Sequence, residues 1–315
     1  MLDYSTCSVG IDLGDRKSVA CIYSGGVAEY FEFAMTPEAI AAAFPAGKFK
    51  IVALEAGAQS SWVARALEAN GYKVVIANPR KLKAISTNHR KSDKNDALML
   101  AKLVWTDSSL LFPVSHRSER FQLALSVMRA RDTIVRGRTQ VVNTLRSLSK
   151  GMGVRLPKGT TEGAPDFELL IPESLQPATN GLVLAVRAQS ELIKTYDGQL
   201  KAMCTDDFPD TARLLQVRGV GPVTALAFVL TLESPSHFPN GRTAAAYLGL
   251  APRRDQSGMV DKELGISKVG NSYLRWLLVQ CAHYVLGPFG VDCDLRRWAR
   301  AKLATGGKRA KKRIV

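Results

Sequence analysis

The first hundred residues alternate short apolar runs with amphipathic stretches. Cys7–Asp12 is an apolar run that ends in an acid. Ser18–Tyr23 follows, and Val27–Phe33 lies beyond the turn Ser24-Gly25-Gly26. Runs joined this closely predict three strands in an antiparallel meander. Thr36-Pro37 reads as a helix start, with Thr as N-cap and Pro at the first helical position, and the helix runs to about Phe44. Lys50–Glu55 is a further strand, again closed by an acid, Ser61–Asn70 a helix stopped by Gly71, and Lys73–Ala77 a strand. Pro79 predicts another helical stretch, and Ser92 caps a helix to about Trp105. The middle of the chain changes period. Leu123, Val127, Ala130, Ile134, Val141, Leu145 and Leu148 fall at heptad-like spacing. So do Leu182, Val186, Gln189, Ile193, Tyr196, Leu200 and Met203. These steps of four and three predict coiled-coil helices packed along an a/d seam, either as an antiparallel pair or as a dimer interface. Ser149–Asn180, rich in Gly, Pro and polar residues, reads as a long loop between them.

Three strands, helix, strand, helix, strand, helices is the order of a ribonuclease H-like domain, an α/β mixed sheet with helices on its faces, and other α/β folds share so coarse a string until the acids below are added. The chain from about Pro209 is mostly helical, broken at Gly219–Pro222, Pro235–Gly241, Ala251–Gly258 and Lys268–Asn271. The predicted organisation is therefore α/β plus α. Residues 1–110 form the sheet domain, 111–207 the coiled-coil helices with the loop 149–180, and 208–315 a mostly helical C-terminal domain.

Charge narrows the partners. Lys and Arg number 43 against 28 acids, a net +15, which suits a polyanion such as nucleic acid. Arg296–Arg313 holds nine Lys or Arg and no acid. The five cysteines form no CxxC pair and the four histidines are scattered, which argues against a zinc site or a disulfide framework and fits a reducing cytoplasm. Asp3 and Asp12 interrupt any signal peptide, and runs such as Val223–Leu232 are too short to span a bilayer, so a membrane role is excluded.

Four acids stand out. Asp12 ends Val9-Gly-Ile-Asp-Leu-Gly, Glu55 ends the fourth strand in Val52-Ala-Leu-Glu-Ala-Gly, and Asp93 and Asp96 open the helix after Ser92. A spacing of three puts Asp93 and Asp96 on one helical face. In a ribonuclease H-like sheet the first and fourth strands are central neighbours, so their ends and a following helix start can converge. An all-oxygen ligand set selects Mg²⁺ or Mn²⁺, and two such ions suit phosphoryl transfer. Each piece has an ordinary use too. First-turn acids favour the helix dipole, strand-end acids serve turns, and Gly-Ile-Asp-x-Gly also occurs in sugar-kinase and actin-type folds against Mg·ATP.

Three C-terminal stretches offer phosphate chemistry. Leu215-Gln-Val-Arg-Gly-Val-Gly-Pro resembles a helix-hairpin-helix, in which Gly219 and Gly221 would let a helix start approach a phosphate; an ordinary tight turn reads the same way. Tyr247–Gly258 reads as a loop with Arg253 and Arg254 just before Ser257. The arginines could hold a scissile phosphate, while the serine alone reads as a turn residue. Lys268-Val-Gly-Asn271 leads into a helix that carries Arg275, a candidate backbone-phosphate clamp or a capped helix start with solvated charges.

Together these residues resemble the DEDD transposases of the insertion sequence 110 family. Asp12, Glu55, Asp93 and Asp96 correspond to its acidic set. Val217-Arg-Gly-Val-Gly-Pro, Gly249-Leu-Ala-Pro-Arg-Arg…Ser257-Gly and Gly265-Ile-Ser-Lys-Val-Gly-Asn resemble its C-terminal transposase domain. The resemblance spans nearly the whole chain. It implies a RuvC-like N-terminal domain and a recombinase that cuts and rejoins donor and target double-stranded DNA, guided by a structured non-coding bridge RNA. It further implies a magnesium-dependent carboxylate site, and Ser257 as a nucleophile that forms a covalent phosphoserine–DNA link. The acids and the serine would act across subunits of a dimer or tetramer in the bacterial cytosol. Chains of this type continue past Lys308–Arg313 into another helix, so a truncated end to the C-terminal domain is expected. Two rival functions share parts of the pattern. A metal-only nuclease of the junction-resolvase type would need no Ser257, and a non-catalytic nucleic-acid-binding transposase derivative would bind without cutting.

Overall fold

The computed structural model describes residues 3–82, 92–157, 170–258, 260–306 and 314. The chain folds into two compact units, Met1–His116 and Arg117–Val315. These bounds differ from the three-part division drawn from the sequence, because the long middle helices share a core with the C-terminal ones.

The first unit is built on a five-stranded mixed sheet. Its strands are β1 (Ser8–Asp12), β2 (Lys17–Ser24), β3 (Val27–Ala34), β4 (Ile51–Glu55) and β5 (Val74–Ala77), in the order β3-β2-β1-β4-β5. β1–β2 and β2–β3 pair antiparallel, whereas β1–β4 and β4–β5 pair parallel. β1 and β4 are thus neighbours, as the strand order anticipated. Helix α1 (Pro37–Ala43) with its C-cap Phe44, and helix α2 (Ser60–Ala69), supply Ile40, Phe44, Val63 and Leu67 to a core with Val9, Ile11, Val52 and Leu54. Strand parity then sends Ser8, Gly10, Asp12, Ala53 and Glu55 to the opposite face. That face is covered by α3 (Asp93–Thr106), whose Leu100 and Val104 pack with Ala53, Val75 and Ala77. Thr36 caps α1 by accepting from the Ala39 N–H at 3.2 Å, and Ser92 caps α3 by accepting from the Asn95 N–H at 3.3 Å. The helix expected from Pro79 is not found in its described part. Asn78 Oδ1 accepts from the Arg80 N–H at 3.1 Å, and Asn78–Lys81 is a turn. Residues 83–91 lie outside the described residues.

The second unit begins with α4 (Glu119–Gly151) and α5 (Gln176–Asp206), a long antiparallel pair. The expected loop from Ser149 to Asn180 is therefore shorter, since α4 runs to Gly151 and α5 starts at Gln176. The seam includes the predicted Leu145, Val186 and Leu200, which are buried, and Val127, Val141, Leu182 and Met203, which pack against the same cores. Leu123 is 63% exposed, while Ala124, Met128, Val142, Leu145 and Ser149 are buried, as are Thr179, Val183, Val186, Leu200 and Cys204. The stripe is broader than predicted, taking in the adjacent Ala124, Met128, Val142, Val183 and Cys204, and its middle is polar: Arg131 Nε donates to Asp197 Oδ1 at 2.5 Å and Arg138 Nε to Ser190 Oγ at 2.7 Å. The C-terminal helices are α6 (Thr211–Leu215), α7 (Pro222–Leu232), α8 (Gly241–Tyr247), α9 (Ser272–Leu286) and α10 (Asp294–Thr305). Leu226 and Leu230 of α7 and Leu274 and Leu277 of α9 close one core with Ala124, Met128, Leu200 and Cys204. Tyr247–Gly258 is not the loop the sequence predicts. Pro252–Ser257 (β6) pairs antiparallel with Val260–Ile266 (β7) in a β-hairpin.

Candidate active site

In the first unit, strand parity puts Asp12 and Glu55 on the face that α3 covers, at the ends of adjacent strands. Asp12 and Glu55 close adjacent parallel strands in register, with Ile11 opposite Leu54. α3 lies directly on β1 at Gly10, where a Cβ would sit 2.1 Å from the Ala97 carbonyl oxygen and 2.4 Å from the Ala101 nitrogen. One turn further along α3, Ser8 Oγ donates to the Ala101 carbonyl at 2.8 Å. α3 therefore runs antiparallel to β1, and its N-terminal turn, with Asp93 and the buried Asp96, lies towards the end of β1 that carries Asp12. Among the described residues no three His, Cys, Asp or Glu side chains are grouped tightly enough to enclose a metal ion. Asp12 and Glu55 close neighbouring strands on the α3 face, and Asp93 and Asp96 stand in the first turn of α3, where the helix dipole favours negative charge.

The turn after Glu55 is tied to the end of the first unit. Ser60 Oγ and His116 Nε2 share a hydrogen bond of 2.9 Å, and Ser60 Oγ also accepts from the Gly57 N–H at 2.9 Å. Burial, then the charge of Arg65, lower the His116 pKa below 6.5, with Glu68 opposing. The unfolded chain takes up a proton near pH 6.5 that the folded unit resists, so this histidine's neutral form favours folding above that pH. We expect thermal stability to fall as pH drops through and below 6.5, and His116→Gln to flatten that slope; parallel pH–stability curves would count against the assignment.

In the second unit the predicted phosphate contacts separate into two groups. Ser257 is exposed and ends β6 opposite Val260, one step before a turn at Gly258, whose φ of +56° suits glycine. Arg254 donates from Nε to Asp261 Oδ1 at 2.7 Å and also pairs through its terminal nitrogen. This ion pair holds the Asp261 carboxyl below its ordinary pKa. Strand alternation puts Arg254 on the face opposite Ser257, with Asp255 and its cross-strand partner Lys262 on the serine's face. Arg253 is exposed beside the irregularity in register between Pro252 and Arg254. The base of the hairpin is clamped. A Cβ at Gly249 would meet the Val269 carbonyl at 2.0 Å and one at Gly270 the Tyr247 carbonyl at 2.1 Å, so two backbones cross where only glycine fits. The Lys268 N–H donates to the Gly249 carbonyl at 3.0 Å, and Arg275 Nη1 donates to the Leu248 carbonyl at 2.8 Å. Asn271 caps α9, accepting from the Leu274 N–H at 3.0 Å, and its amide donates to Thr231 Oγ1 at 3.2 Å. Lys268, Asn271 and Arg275 thus gather where the hairpin joins α9.

Gly219 and Gly221 lie elsewhere. Gly219, at φ +88°, packs on the far half of α9, where a Cβ would meet Val285 Cγ2 at 2.8 Å. That is about 21 Å along the helix from Asn271. Gly221 is the N-cap of α7, and a Cβ there would meet nothing within 4 Å. Sequence reasoning missed three residues: Lys262 on the serine's face, His116 at the unit boundary, and Gln59, whose side chain crosses between loops. None belongs to a local motif. The basic run Lys308–Arg313 lies outside the described residues.

Comparison with known proteins is decisive at this point. Residues 9–152 match the model of the IS110-type DEDD transposases, and residues 211–289 match that of the transposase IS116/IS110/IS902 family. The transposase for insertion sequence element IS1328 of Yersinia enterocolitica is 30% identical over 240 residues, covering 74% of this chain and 70% of its own. The chain belongs to the IS110 family of transposases. The transposase for insertion sequence element IS1111A of Coxiella burnetii is 28% identical over 269 residues, 82% of this chain and 72% of its own. A probable family 20 transposase of Pseudomonas aeruginosa is 29% identical over 262 residues, 80% and 76% respectively. The first IS110-type match contains Asp12, Glu55, Asp93 and Asp96, and the second contains the whole β6–β7 hairpin with Ser257. Among the described residues no helix is long and apolar enough to cross a membrane.

Proposed function

We propose that this IS110-family transposase cuts and rejoins DNA through the carboxylate edge of its ribonuclease H-like first unit and the serine of its C-terminal hairpin. What supports the reading most is the family match over residues 9–152, within which Asp12 and Glu55 close adjacent strands on the face covered by α3, the helix that begins with Asp93 and Asp96. Asp12, Glu55, Asp93 and Asp96 would hold Mg²⁺ or Mn²⁺. A divalent ion there supplies Lewis-acid stabilisation of the phosphate oxygens during transfer. Ser257 Oγ attacks the phosphorus of a DNA phosphodiester. One P–O bond to the departing strand breaks as the serine–phosphorus bond forms, and the serine proton ends on the departing hydroxyl. Attack by the hydroxyl of a new strand reverses these steps and frees Ser257. Arg253 and Lys262 would hold the phosphate beside it, while Arg254 braces the hairpin through Asp261. Lys268, Asn271 and Arg275 support the same end of the unit, and Gly221 opens the start of α7 to a backbone phosphate. The coiled-coil pair α4–α5 would hold subunits of a dimer or tetramer at the spacing that two duplexes require, each subunit's acids acting with another's serine. A structured bridge RNA would choose the donor and target sequences.

The test is a denaturing gel of labelled DNA incubated with protein, RNA from the element's flank and Mg²⁺. A protein-linked DNA band is expected for wild type and is expected to vanish in Ser257→Ala. Cleavage without an adduct, equal in both proteins, would instead mark a metal-only nuclease. Binding without any cleavage would mark a non-catalytic derivative.

A further inference from the structure

We propose that Gln59 is a positioning residue for the metal-binding acids, clamping the loop behind Asp12 to the loop behind Glu55. The proposal rests on the carboxylate-site reading above and adds to it the device that sets the spacing of two of its ligands. The observation is a single side-chain amide spanning two loops. Gln59 Nε2 donates to the Gly14 carbonyl at 3.2 Å and to the Asp15 carbonyl at 3.2 Å.

The need for such a clamp follows from the strand ends. The parallel β1–β4 register runs from Ser8 opposite Ile51 to Ile11 opposite Leu54. Beyond it the chains part, one turning back into β2 and the other entering α2. Asp12 and Glu55 thus sit where the ladder gives out.

Each loop is already stiff, so the amide joins two fixed bodies. The Gly14 N–H donates to Ser18 Oγ at 3.2 Å, and a Cβ at Gly14 would lie 2.0 Å from the Lys17 carbonyl. In the second loop the Ala56 N–H donates to the Ala77 carbonyl at 3.0 Å, and Ser60 Oγ donates to the Gly57 carbonyl at 2.8 Å. The chemistry selects glutamine. Its NH₂ carries two donors on one nitrogen, matched to two carbonyl acceptors. Glutamate would set a carboxylate against both carbonyls. Groups that orient metal ligands without touching the ion commonly change affinity by 10–100-fold when removed.

The experiment is Mn²⁺ binding by the full chain, read from the electron paramagnetic resonance signal of free Mn²⁺, beside a melting curve for each protein. Wild type is compared with Asp12→Asn, Gln59→Ala and Gln59→Met. Methionine keeps the length of the side chain and removes the donors, which guards against an alanine variant that merely loosens the unit. We expect Asp12→Asn to lose tight binding, and Gln59→Met to bind about tenfold more weakly than wild type with an unchanged melting temperature. If Asp12→Asn binds Mn²⁺ like wild type, the carboxylate-site reading fails. If Asp12→Asn loses binding while Gln59→Met stays within twofold of wild type, the site stands and the clamp is wrong. A Gln59→Met protein that binds weakly only because it melts early would also overturn the clamp.

Discussion

Replacing Asp12 by Asn is expected to lower the single-turnover rate of DNA cleavage by about a thousandfold, or roughly 4 kcal/mol of transition-state stabilisation. The amide keeps the shape of the carboxylate and removes its charge. Asp12 ends the central strand β1, beside β4 and on the face covered by α3, so no other acid on β1 can substitute for it. Melting should change little, because the residue lies at the strand end and only half-buried. Rates would be measured in Mg²⁺ and again in Mn²⁺. Losing Glu55 or Asp96 as well should add far less than another thousandfold, since ligands of one site act as a unit. A rate within threefold of wild type, with DNA binding intact, would remove Asp12 from the chemistry and point to Ser257 acting without the first unit's acids.

The second large effect is structural. Gly10→Ala is expected to destabilise the first unit by roughly 3 kcal/mol, although it adds only one methyl group. That methyl would fall 2.1 Å from the Ala97 carbonyl oxygen, 2.4 Å from the Ala101 nitrogen and 2.9 Å from Leu100 Cβ. Two of these atoms are backbone, so relief requires the whole of α3 to lift from β1. The helix carries Asp93 and Asp96 at its start, and cleavage should fall together with stability. Gly57→Ala is the control. A Cβ there meets nothing within 4 Å, and its stability should stay within about 0.5 kcal/mol of wild type. Denaturant unfolding of the full chain, followed by a probe in the first unit, would measure both. Equal stability of the two variants would mean that α3 does not rest on β1 as closely as described.

Much of the first unit was legible because its signals are local. Thr36 and Ser92 announce helices by their caps, and the apolar runs at Cys7–Asp12 and Lys50–Glu55 announce central strands. The acids closing those two strands were visible for the same reason, since each is the first charge after an apolar run. Asp93 and Asp96 were visible as an i, i+3 pair behind a cap. Gly10 was not, for nothing in Val9-Gly-Ile-Asp says that a helix some ninety residues later will need the space.

Taken alone, the amino-acid sequence determined the order of strands and helices in the first unit, the all-oxygen character of its candidate site and the family. Period, capping and side-chain chemistry act within a few residues, and family motifs are contiguous. Tertiary structure decided what depends on partners far along the chain. The middle of the α4–α5 seam is polar, with Arg131 and Arg138 finding Asp197 and Ser190 across it, and an apolar pattern discards such positions. The hairpin around Ser257 was unreadable because all of β6 is exposed, leaving no alternation to detect. Its pairing rests on a glycine turn and on the crossing of Gly249 and Gly270. Gln59 reaches carbonyls 45 and 44 residues earlier in the chain. A hydrogen bond of that span follows only from the parallel pairing of β1 with β4, which sets their following loops side by side.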